Sequence, residues 1–339
     1  MHQSPLVSVC IPCYNAEKTI AETLDSILAQ TYSNLVIHVS DNASTDGTLK
    51  VVASINDPRI HIHPQQENIG GEGNFTRCIQ LAEGAYTGIF HADDVYHPDM
   101  LEKQVKFLET NLEVGSVFTQ AFTIDEHGKR TGLIGRVPEK DKEGKPIGFE
   151  ALLKMMLLHH NFLVCPSVLV RTDVYRHQIK EWGSSLFQSA SDIDTWLRLS
   201  EIKPIAVLNE PLMSYRISSV QFSEKNRNRT ERTDFFLVMD HYLEKDEVRG
   251  FLTKKDLQHY GWLDRHESVA CAINLLKQSR NDEARGLLKN VVCWDALQAA
   301  FHTKRGCTTF ITALLFLLLS MVGLSAKMPL IVNIFNEKK

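Results

Sequence analysis

Residues 86–96 read Tyr86-Thr-Gly-Ile-Phe-His91-Ala-Asp93-Asp94-Val-Tyr96, an apolar run that leads directly into two adjacent carboxylates. The apolar run has the length and composition of a buried β-strand. Carboxylate oxygens are hard ligands that suit Mg²⁺ or Mn²⁺, and phosphate oxygens can complete the coordination of such an ion. The segment therefore predicts a strand that ends at a site for a divalent cation and a diphosphate.

The sequence around this segment alternates apolar strands with amphipathic helices. Strands are predicted at residues 6–11, 35–40, 59–63 and 86–90, and a helix at residues 16–30, with Asn15 as its N-cap. This alternation predicts an α/β fold with a mostly parallel central sheet. Ligands of such sheets bind beyond the carboxyl ends of the strands, and the strands here end in polar residues.

The rest of the chain divides into further predicted regions. A loop rich in Gly, Pro and charge covers residues 126–148, followed by a helix from Phe149, a strand at 167–170 and a helix around 192–199. We predict a catalytic domain over residues 1–223, with a nucleotide-binding half (1–125) and an acceptor half (149–223). A helical C-terminal region (224–306), an apolar helix (307–326) and a tail (327–339) follow.

Composition restricts the possible functions. The 339 residues include 37 basic and 41 acidic side chains, a net charge of −4, and this balance gives no basic field for nucleic acid. Seven cysteines in a long chain disfavour a disulfide framework and suit a reducing compartment. The start, Met-His-Gln-Ser-Pro, lacks the features of a signal peptide, so we expect the catalytic part to lie in the cytosol.

Residues 307–326 contain no charged side chain. A helix of about 20 residues is just long enough to cross the hydrocarbon core of a bilayer. The segment can span a membrane, lie on it or approach it, and the alternative is a helix buried in the protein. Membrane attachment through this helix is our expectation.

Four ordered motifs resemble those of the family 2 glycosyltransferases with the GT-A fold. They are Val7-Ser-Val-Cys-Ile-Pro-Cys-Tyr-Asn15, Asp41-Asn-Ala-Ser-Thr-Asp-Gly-Thr48, Asn68-Ile-Gly70 and His91-Ala-Asp93-Asp94. The resemblance covers about residues 5–220. It implies a sugar-transferring enzyme that uses a nucleotide-diphospho-sugar, and the form with Asn74-Phe75 after the third motif is similar to rhamnosyltransferase-like members.

The resemblance also implies roles for individual residues. The nucleotide sugar would be held by residues of all four motifs and by Arg216: Pro12, Cys13, Tyr14, Asn15, Glu17, Asp41, Asn68, Gly70, Asn74, His91, Ala92 and Asp93. Asp93 and Asp94 would ligate Mg²⁺ or Mn²⁺. Asp41 can accept the imide N–H of uracil or thymine, which favours a UDP- or dTDP-linked donor. The alternatives are a turn-forming role for Asp41 and a purely capping role for Asn15.

The segment Ser191-Asp192-Ile-Asp194-Thr-Trp-Leu-Arg198 fits the helix that carries the family's catalytic base. The resemblance makes Asp192 the base, although Ser191 replaces the usual glutamate. Asp194 lies two residues further along the helix and faces elsewhere. The alternative for Asp192 is an acid that only compensates the helix dipole.

The sequence departs from the family pattern at the metal site. His91 stands where the first acid of the metal motif is usual, and Tyr215-Arg216 is not followed by histidine. Arg216 and the basic residues Lys225, Arg227, Arg229 and Arg232 can instead neutralise a diphosphate or an anionic lipid acceptor. The alternative for this basic stretch is a solvated loop.

Other functions fit less of the sequence. Cys10-Ile-Pro-Cys13 matches a Cys-X-X-Cys redox pattern, but its first cysteine belongs to an apolar strand. No Gly-X-Gly-X-X-Gly follows the first strand, which disfavours a dinucleotide-binding enzyme. We predict an inverting transferase acting on a glycan or lipid-linked hydroxyl, in bacterial surface polysaccharide synthesis at the cytosolic face of the inner membrane. The alternative is a GT-A-like binding or scaffold protein without transferase activity.

Overall fold

The computed structural model describes residues 4–139, 143–183, 186–217, 228–300 and 303–321. The chain forms two compact units, one of Met1–Met155 with Asn161–Ser218 and one of Met156–His160 with Ser219–Lys339. The predicted domain boundaries stay predictions. Lys225, Arg227, the last part of the apolar segment (322–326) and the tail (327–339) lie outside the described residues.

The first unit is built on a nine-stranded sheet. Its strands are β1 (Val7–Cys13), β2 (Leu35–Asp41), β3 (Ile60–Pro64), β4 (Tyr86–Ile89), β5 (Val95–Tyr96), β6 (Ser116–Ile124), β7 (Arg130–Ile134), β8 (Leu169–Arg171) and β9 (Ile205–Arg216). Its α-helices are α1 (Ile20–Leu28), α2 (Thr48–Ser54), α3 (Gly70–Leu81), α4 (Met100–Thr110), α5 (Phe149–His159), whose end belongs to the second unit, and α6 (Ser191–Ile202). Short 3₁₀ or π turns cover Cys165–Ser167, Val174–Ile179 and Gln188–Ala190.

The sheet is mixed, with parallel pairing between its long strands and antiparallel pairing at its short ones. Its order is β3-β2-β1-β4-β8-β6-β9-β5, with β7 beside β6. The first four strands of this order pair in parallel, whereas β8 pairs antiparallel with both of its neighbours. The prediction of a mostly parallel sheet is therefore confirmed, because the long strands β6 and β9 also pair in parallel, whereas the antiparallel pairs are the short ones made by β5, β7 and β8. The predicted loop at 126–148 is wrong in part, because β7 forms a hairpin with β6.

The amino-terminal half folds as its hydrophobic pattern predicts. All but one residue of β1 and every residue of β2 are buried, and Ile20, Leu24 and Ile27 of α1 lie in the same core. The start of α1 differs from the prediction, because the helix begins at Ile20 and not at residue 16. Asn15 has a φ of 53° and precedes the helix by several residues, so it is not the N-cap.

The second unit is helical, as predicted. Its helices are α7 (Asp234–Glu244), α8 (Asp246–Phe251), α9 (Lys254–Lys277), α10 (Asn281–Val291), α11 (Trp294–Ala300) and α12 (Lys304–Met321). The long helix α9 starts with a capping box, in which Thr253 and Asp256 satisfy each other's backbone N–H groups. Residues of α9, α10 and α12 share one apolar core.

The apolar helix α12 has two different faces. Ala313 and Phe316 are buried in the core of the second unit, whereas Ile311, Leu318 and Met321 are 60%, 52% and 65% exposed. Among the described residues, α12 is the one helix whose length and composition would allow it to cross a membrane, and 39% of it is buried in the protein. The buried face shows that this helix also has a structural role.

Candidate active site

The carboxyl ends of β1 and β2 bring the first two motifs together. Cys13 and Asp41 are partners in the register of these strands, and both are buried. Asp41 accepts hydrogen bonds from the Cys13 thiol at 3.6 Å and from the backbone N–H of Ser44 at 3.0 Å. Pro12, one residue earlier in β1, lies opposite Ser40.

The loops after these two strands are joined by side chains. Oδ1 of Asn15 accepts the backbone N–H of Thr45 at 2.8 Å, and Oε2 of Glu17 accepts that of Gly47 at 3.0 Å. Tyr14 is 50% exposed and therefore available for contact with a ligand. Asn15 and Glu17 thus shape the loops that surround Tyr14.

Asn42 is a residue that the sequence reasoning missed. Its Nδ2 donates to Oδ1 of Asn68 at 2.9 Å and to the carbonyl of Gly70 at 3.0 Å, and its Oδ1 accepts the N–H of Ile69. This side chain therefore fixes the Asn68-Ile-Gly70 turn against the end of β2. Gly70 has a φ of +78°, a conformation that glycine adopts without strain.

Asn74 lies away from any ligand-accessible surface, contrary to its predicted role in binding the nucleotide sugar. It is buried, its Oδ1 accepts the hydroxyl of Ser40 at 2.7 Å, and its Nδ2 donates to the Ser40 carbonyl at 2.9 Å. Both ends of the amide are therefore used to attach α3 to β2. We correct its assignment to a structural one.

The end of β4 forms an acidic corner made of His91, Asp93 and Asp94. One potential ligand atom from each residue lies within 4.8 Å of the others. Asp94 is fully buried; its Oδ1 accepts the N–H of Arg216 at 2.9 Å, while its Oδ2 has no hydrogen-bond partner. Burial, together with the charge of Asp93, raises the pKa of Asp94. A buried carboxylate oxygen without a partner fits a site for a divalent cation.

His91 completes this corner. Its Nδ1 lies 3.8 Å from Oδ2 of Asp94, and its buried Nε2 has no hydrogen-bond partner. Burial lowers the pKa of His91, which keeps the imidazole in the neutral form that ligates metals. The ring edge meets Phe75 at 5.7 Å between centroids. The carbonyl of Ala92, the next residue, accepts the hydroxyl of Thr19 at 2.9 Å.

Arg216 lies beside the acidic corner, and its guanidinium is occupied by hydrogen bonds and an ion pair within the protein. It is 5% exposed, and its Nε donates to the Asp93 carbonyl at 2.9 Å. Its Nη2 forms an ion pair with Glu22 at 2.6 Å, and its Nη1 donates to the carbonyls of Asp125 and Glu126. These contacts favour a positioning role over the predicted contact with the diphosphate.

Two arginines of the predicted basic stretch are paired within the second unit. Arg229 forms a two-pronged ion pair with Glu267. Arg232 pairs with Asp240 and with Asp264. Both side chains therefore stabilise the helical unit, and the solvated-loop alternative does not describe them either.

Asp192 lies in the first turn of α6 and is half-buried. Burial raises its pKa from 3.8 to about 6, while the N–H of Ile193, 2.9 Å away, partly offsets the effect. The neighbouring Ser191 donates its hydroxyl to Glu72 of α3. Asp194 is buried and forms an ion pair with Arg198 at 2.9 Å, which agrees with its predicted separate role.

Glu72 is a second residue that the sequence reasoning missed. The family motif places a glutamate immediately before the base, where this chain has Ser191. In the structure the carboxylate beside Ser191 comes from α3 instead. Its only sequence signal is its position within Gly71-Glu72-Gly73, which gives no indication of α6.

The partly buried phenol of Tyr215 lies within electrostatic range of both the acidic corner and Asp192. Burial raises the pKa of Tyr215, and the negative charges of Asp94, Asp93 and Asp192 raise it further. The thiol of Cys165 is likewise affected by both Asp192 and Asp94. The carboxylates of the metal motif and of the predicted base therefore lie within electrostatic range of the same two side chains, which favours a single site.

The two cysteines of the Cys-X-X-Cys pattern are unsuited to redox chemistry. Both are free and buried. Burial raises the pKa of each thiol well above its ordinary value, with Glu83 adding to the effect at Cys10 and Asp41 at Cys13. Because the thiolate is the reactive form, these residues are core side chains.

Solved structures with a GT-A-like fold resemble this one. TarS from Staphylococcus aureus, in complex with UDP-GlcNAc, aligns with a TM-score of 0.60 over 91% of this chain and 88% of that chain, at 17% identity. The mannosyltransferase PcManGT from Pyrobaculum calidifontis, in complex with GDP-Man and Mn²⁺, gives 0.54 over 95% and 87%, also at 17% identity. These likenesses establish the fold.

Several curated relatives are glycosyltransferases. An uncharacterized glycosyltransferase from Haemophilus influenzae is 28% identical over 300 residues, 86% of each chain. The putative glycosyltransferase EpsE from Bacillus subtilis is 33% identical over 59% of this chain and 69% of its own. Chondroitin synthase from Pasteurella multocida is 27% identical over 74% of this chain but only 24% of its own length.

Fold and site together define a glycosyltransferase of the GT-A class that uses nucleotide sugars. The family model described as Glycosyl transferase family 2 matches residues 8–178. The chain belongs to this family, and the resemblance seen in its four motifs is thereby confirmed. The rhamnosyltransferase-like subtype stays a prediction.

Proposed function

We propose that this chain is an inverting glycosyltransferase that moves a sugar from a nucleotide-diphospho-sugar to a hydroxyl group. The observation that carries the proposal is the corner of His91, Asp93 and Asp94, whose potential ligand atoms lie within 4.8 Å of one another, together with Asp192, whose charge acts on the same Tyr215 phenol as the charges of Asp93 and Asp94. One end of this group suits a diphosphate with its cation, and the other offers a single carboxylate base. An inverting transfer needs both in one site.

Asp192 is the proposed base. A pKa of about 6 leaves this carboxylate ionised near neutral pH yet more basic than an ordinary aspartate. It would remove the proton of the acceptor hydroxyl while the acceptor oxygen bonds to the anomeric carbon and the bond to the diphosphate breaks. The electron pair of that bond leaves with the nucleoside diphosphate, and attack of the acceptor oxygen on the face opposite this leaving group gives inversion.

Asp93 and Asp94, with His91, are the proposed ligands of Mg²⁺ or Mn²⁺. When bound, such an ion neutralises the charge that develops on the departing diphosphate. Arg216 holds the backbone of Asp93 and the carboxylate of Asp94, so it positions two of the ligands. The Mn²⁺ in the complex of PcManGT supports this assignment by fold similarity.

We infer that the nucleotide base lies near Tyr14 and Asp41. The half-exposed ring of Tyr14 offers a surface for stacking. Among the described residues the donor to Oδ1 of Asp41 is a thiol, which is a weak donor that an imide N–H can replace once this fully buried carboxylate becomes accessible to the base. This arrangement favours UDP- or dTDP-linked donors, and TarS, whose structure contains UDP-GlcNAc, supports a UDP-linked one.

The proposed acceptor is a glycan or a lipid-linked hydroxyl in bacterial surface polysaccharide synthesis. The name of the chondroitin synthase relative supports a role in polysaccharide assembly. The exposed apolar face of α12 supports attachment to the cytosolic face of the inner membrane. A GT-A-like binding or scaffold protein is the second candidate, favoured by His91 in place of an acid.

A donor screen with product analysis tests this proposal. The full chain is incubated with Mn²⁺ or Mg²⁺ and a panel of nucleotide sugars, and release of nucleoside diphosphate is measured. Proton NMR of the product from the preferred donor then gives the anomeric configuration. We expect turnover of at least one UDP- or dTDP-sugar with inversion; retention of configuration would contradict the mechanism, and binding without any turnover would favour the scaffold.

A further inference from the structure

Three histidines lie on one face of the sheet where β2 meets the edge strand β3. His38 in β2 pairs in register with His61 in β3, and His63 follows two residues later. Side chains alternate along a strand, so His61 and His63 share a face while Ile60 and Ile62 pack against the core. None of these histidines belongs to the active site described above.

The spacing of two of the imidazoles, those of His38 and His63, suits one metal ion, and the ring of His61 lies nearby. The ring of His38 lies 5.7 Å from that of His61 and 5.2 Å from that of His63, between centroids. Nδ1 of His38 is 3.1 Å from Nε2 of His63. Two nitrogens bound to one tetrahedral Zn²⁺ at about 2.05 Å are roughly 3.3 Å apart, so only a small adjustment is needed.

Glu83 gives His38 the environment of a metal ligand. Its Oε1 lies 3.5 Å from Nε2 of His38, on the opposite side of the ring from His63. Histidines that ligate metals commonly donate their second N–H to a carboxylate, which fixes the tautomer and directs the other nitrogen at the ion. Nε2 of His38 is buried and has no shorter hydrogen bond among the described residues.

The surrounding charges restrict the kind of ion. Arg77 lies within electrostatic range of His63 and Glu83 within range of His38, so the cluster has one nearby charge of each sign. A hard cation such as Mg²⁺ would gain little here, because it depends on negative oxygen ligands. Neutral imidazoles instead favour ions of the Zn²⁺, Ni²⁺ and Cu²⁺ group.

We propose that His38, His61 and His63 form a binding site for a transition-metal ion such as Zn²⁺, with Glu83 orienting His38. His61 is exposed, so its side chain can turn toward the other two by rotation about its own bonds. The bound ion links β3, the last strand of the sheet, to β2. The competing interpretation is a simple hydrogen bond between two neutral imidazoles.

Co²⁺ binding tests the proposal, because histidine ligation gives this ion a visible absorption band. The tag-free full chain is used in an Asp93→Asn background, which weakens the active-site cation corner, and no nucleotide is added. We expect one Co²⁺ per chain, displaced by Zn²⁺ and not by Mg²⁺. Zn²⁺ should also raise Tm by a few degrees, since it binds only the folded chain.

The double variant His61→Gln/His63→Gln should lose the band and the Tm shift. The matched control, His97→Gln/His127→Gln, removes two other exposed histidines that lie beside acids and should keep both signals. Glu83→Gln should weaken Co²⁺ binding by about tenfold, as is typical for such carboxylates. Absence of Co²⁺ binding in the Asp93→Asn background, or a band that survives the double variant, would overturn the proposal.

Discussion

Asp192 is a carboxyl group whose surroundings oppose its ionisation. Burial raises its pKa to about 6, so this side chain favours the protonated state more in the folded protein than in the unfolded chain. Such a residue lowers stability at the pH at which it is useful as a base. Proteins keep strained groups of this kind mainly at functional sites.

Asp192→Asn should therefore stabilise the protein while it removes activity. The pKa difference, from 3.8 to about 6, sets an upper limit of roughly 3 kcal/mol, because one pKa unit corresponds to about 1.36 kcal/mol. The gain should be full above pH 6, shrink as pH falls, and vanish below about pH 4, where both states are protonated. Urea unfolding at pH 7.5 and pH 3.8 measures it; equal stability of variant and wild type at pH 7.5 contradicts this view of Asp192.

At the scale of secondary-structure elements, the position of α6 depends on the close approach of the Gly183 backbone to Ser191. Gly183 has a φ of +58°, and a Cβ at this position would lie 2.3 Å from Cβ of Ser191 and 3.0 Å from its Cα. The N–H of Gly183 donates to Thr195 at 3.0 Å. The start of α6, which carries Asp192, is thus held against the Trp182-Gly183 segment.

Gly183→Ala should lower kcat on the order of 100-fold, while the free energy of unfolding falls by only about 1 kcal/mol. The added methyl group must displace the start of α6, and a shift of about 1 Å in a catalytic group can cost on the order of 100-fold in rate. Gly128→Ala is the matched control, because Gly128 has a similar φ of +78° but no atom within 4 Å of the added Cβ. Both variants should lose about 1 kcal/mol from backbone strain; equal kcat values for the two would show that the contact with Ser191 does not position the base.

The helix α12 has one face in the core and one exposed face, so a test of membrane attachment must change only the exposed face. Because Ala313 and Phe316 belong to the core, deleting the helix would unfold the second unit and could not test membrane attachment. Exposed residues of α12 can be substituted without unfolding the second unit. They form a stripe spaced for one side of a helix: Ile311, Leu314, Leu315, Leu318 and Met321.

Ile311→Glu/Leu318→Glu should reduce membrane binding at least tenfold. Each exposed apolar side chain that enters the bilayer contributes on the order of 1.5–3 kcal/mol, and a carboxylate there is unfavourable. Co-sedimentation with vesicles of phosphatidylethanolamine and phosphatidylglycerol measures the effect, with Thr308→Glu, a change at an exposed polar position, as the control. Undiminished sedimentation of the double variant would rule out this face as the membrane contact.

At the scale of the whole molecule, the sequence predicts the strands of the amino-terminal half and the helices from Phe149 onward, whereas it does not predict β7 or the pairing of β8. Buried strands such as β1 and β2 have continuous apolar sequences, and their polar ends mark where a ligand binds. The strand β7 is short and mostly exposed, and it contains a glycine, so its sequence does not differ from that of a loop. The antiparallel position of β8 depends on contacts with β4 and β6 that no local pattern encodes.

The residues of the candidate site likewise include some that the sequence predicts and some that it does not. Local motifs nominate Asp93, Asp94 and Asp192 as site residues, because their chemistry and spacing are visible in the sequence, and their roles stay predictions. The positioning roles of Arg216 and Glu72 were not visible, since their partners are 122 and 119 residues distant along the chain. Asn74 was wrongly assigned because a motif cannot distinguish a ligand contact from a buried amide that joins two elements.

The central claim is that Asp93 holds the donor's diphosphate end and Asp192 acts as the base in one active site. Parallel measurement of kcat and donor affinity in wild type, Asp93→Asn and Asp192→Asn tests it most directly. We predict that Asp192→Asn lowers kcat about 10²–10⁴-fold with nearly unchanged donor Kd, whereas Asp93→Asn weakens donor binding in Mn²⁺ at least tenfold. Transfer at the wild-type rate and affinity by both variants would contradict the claim.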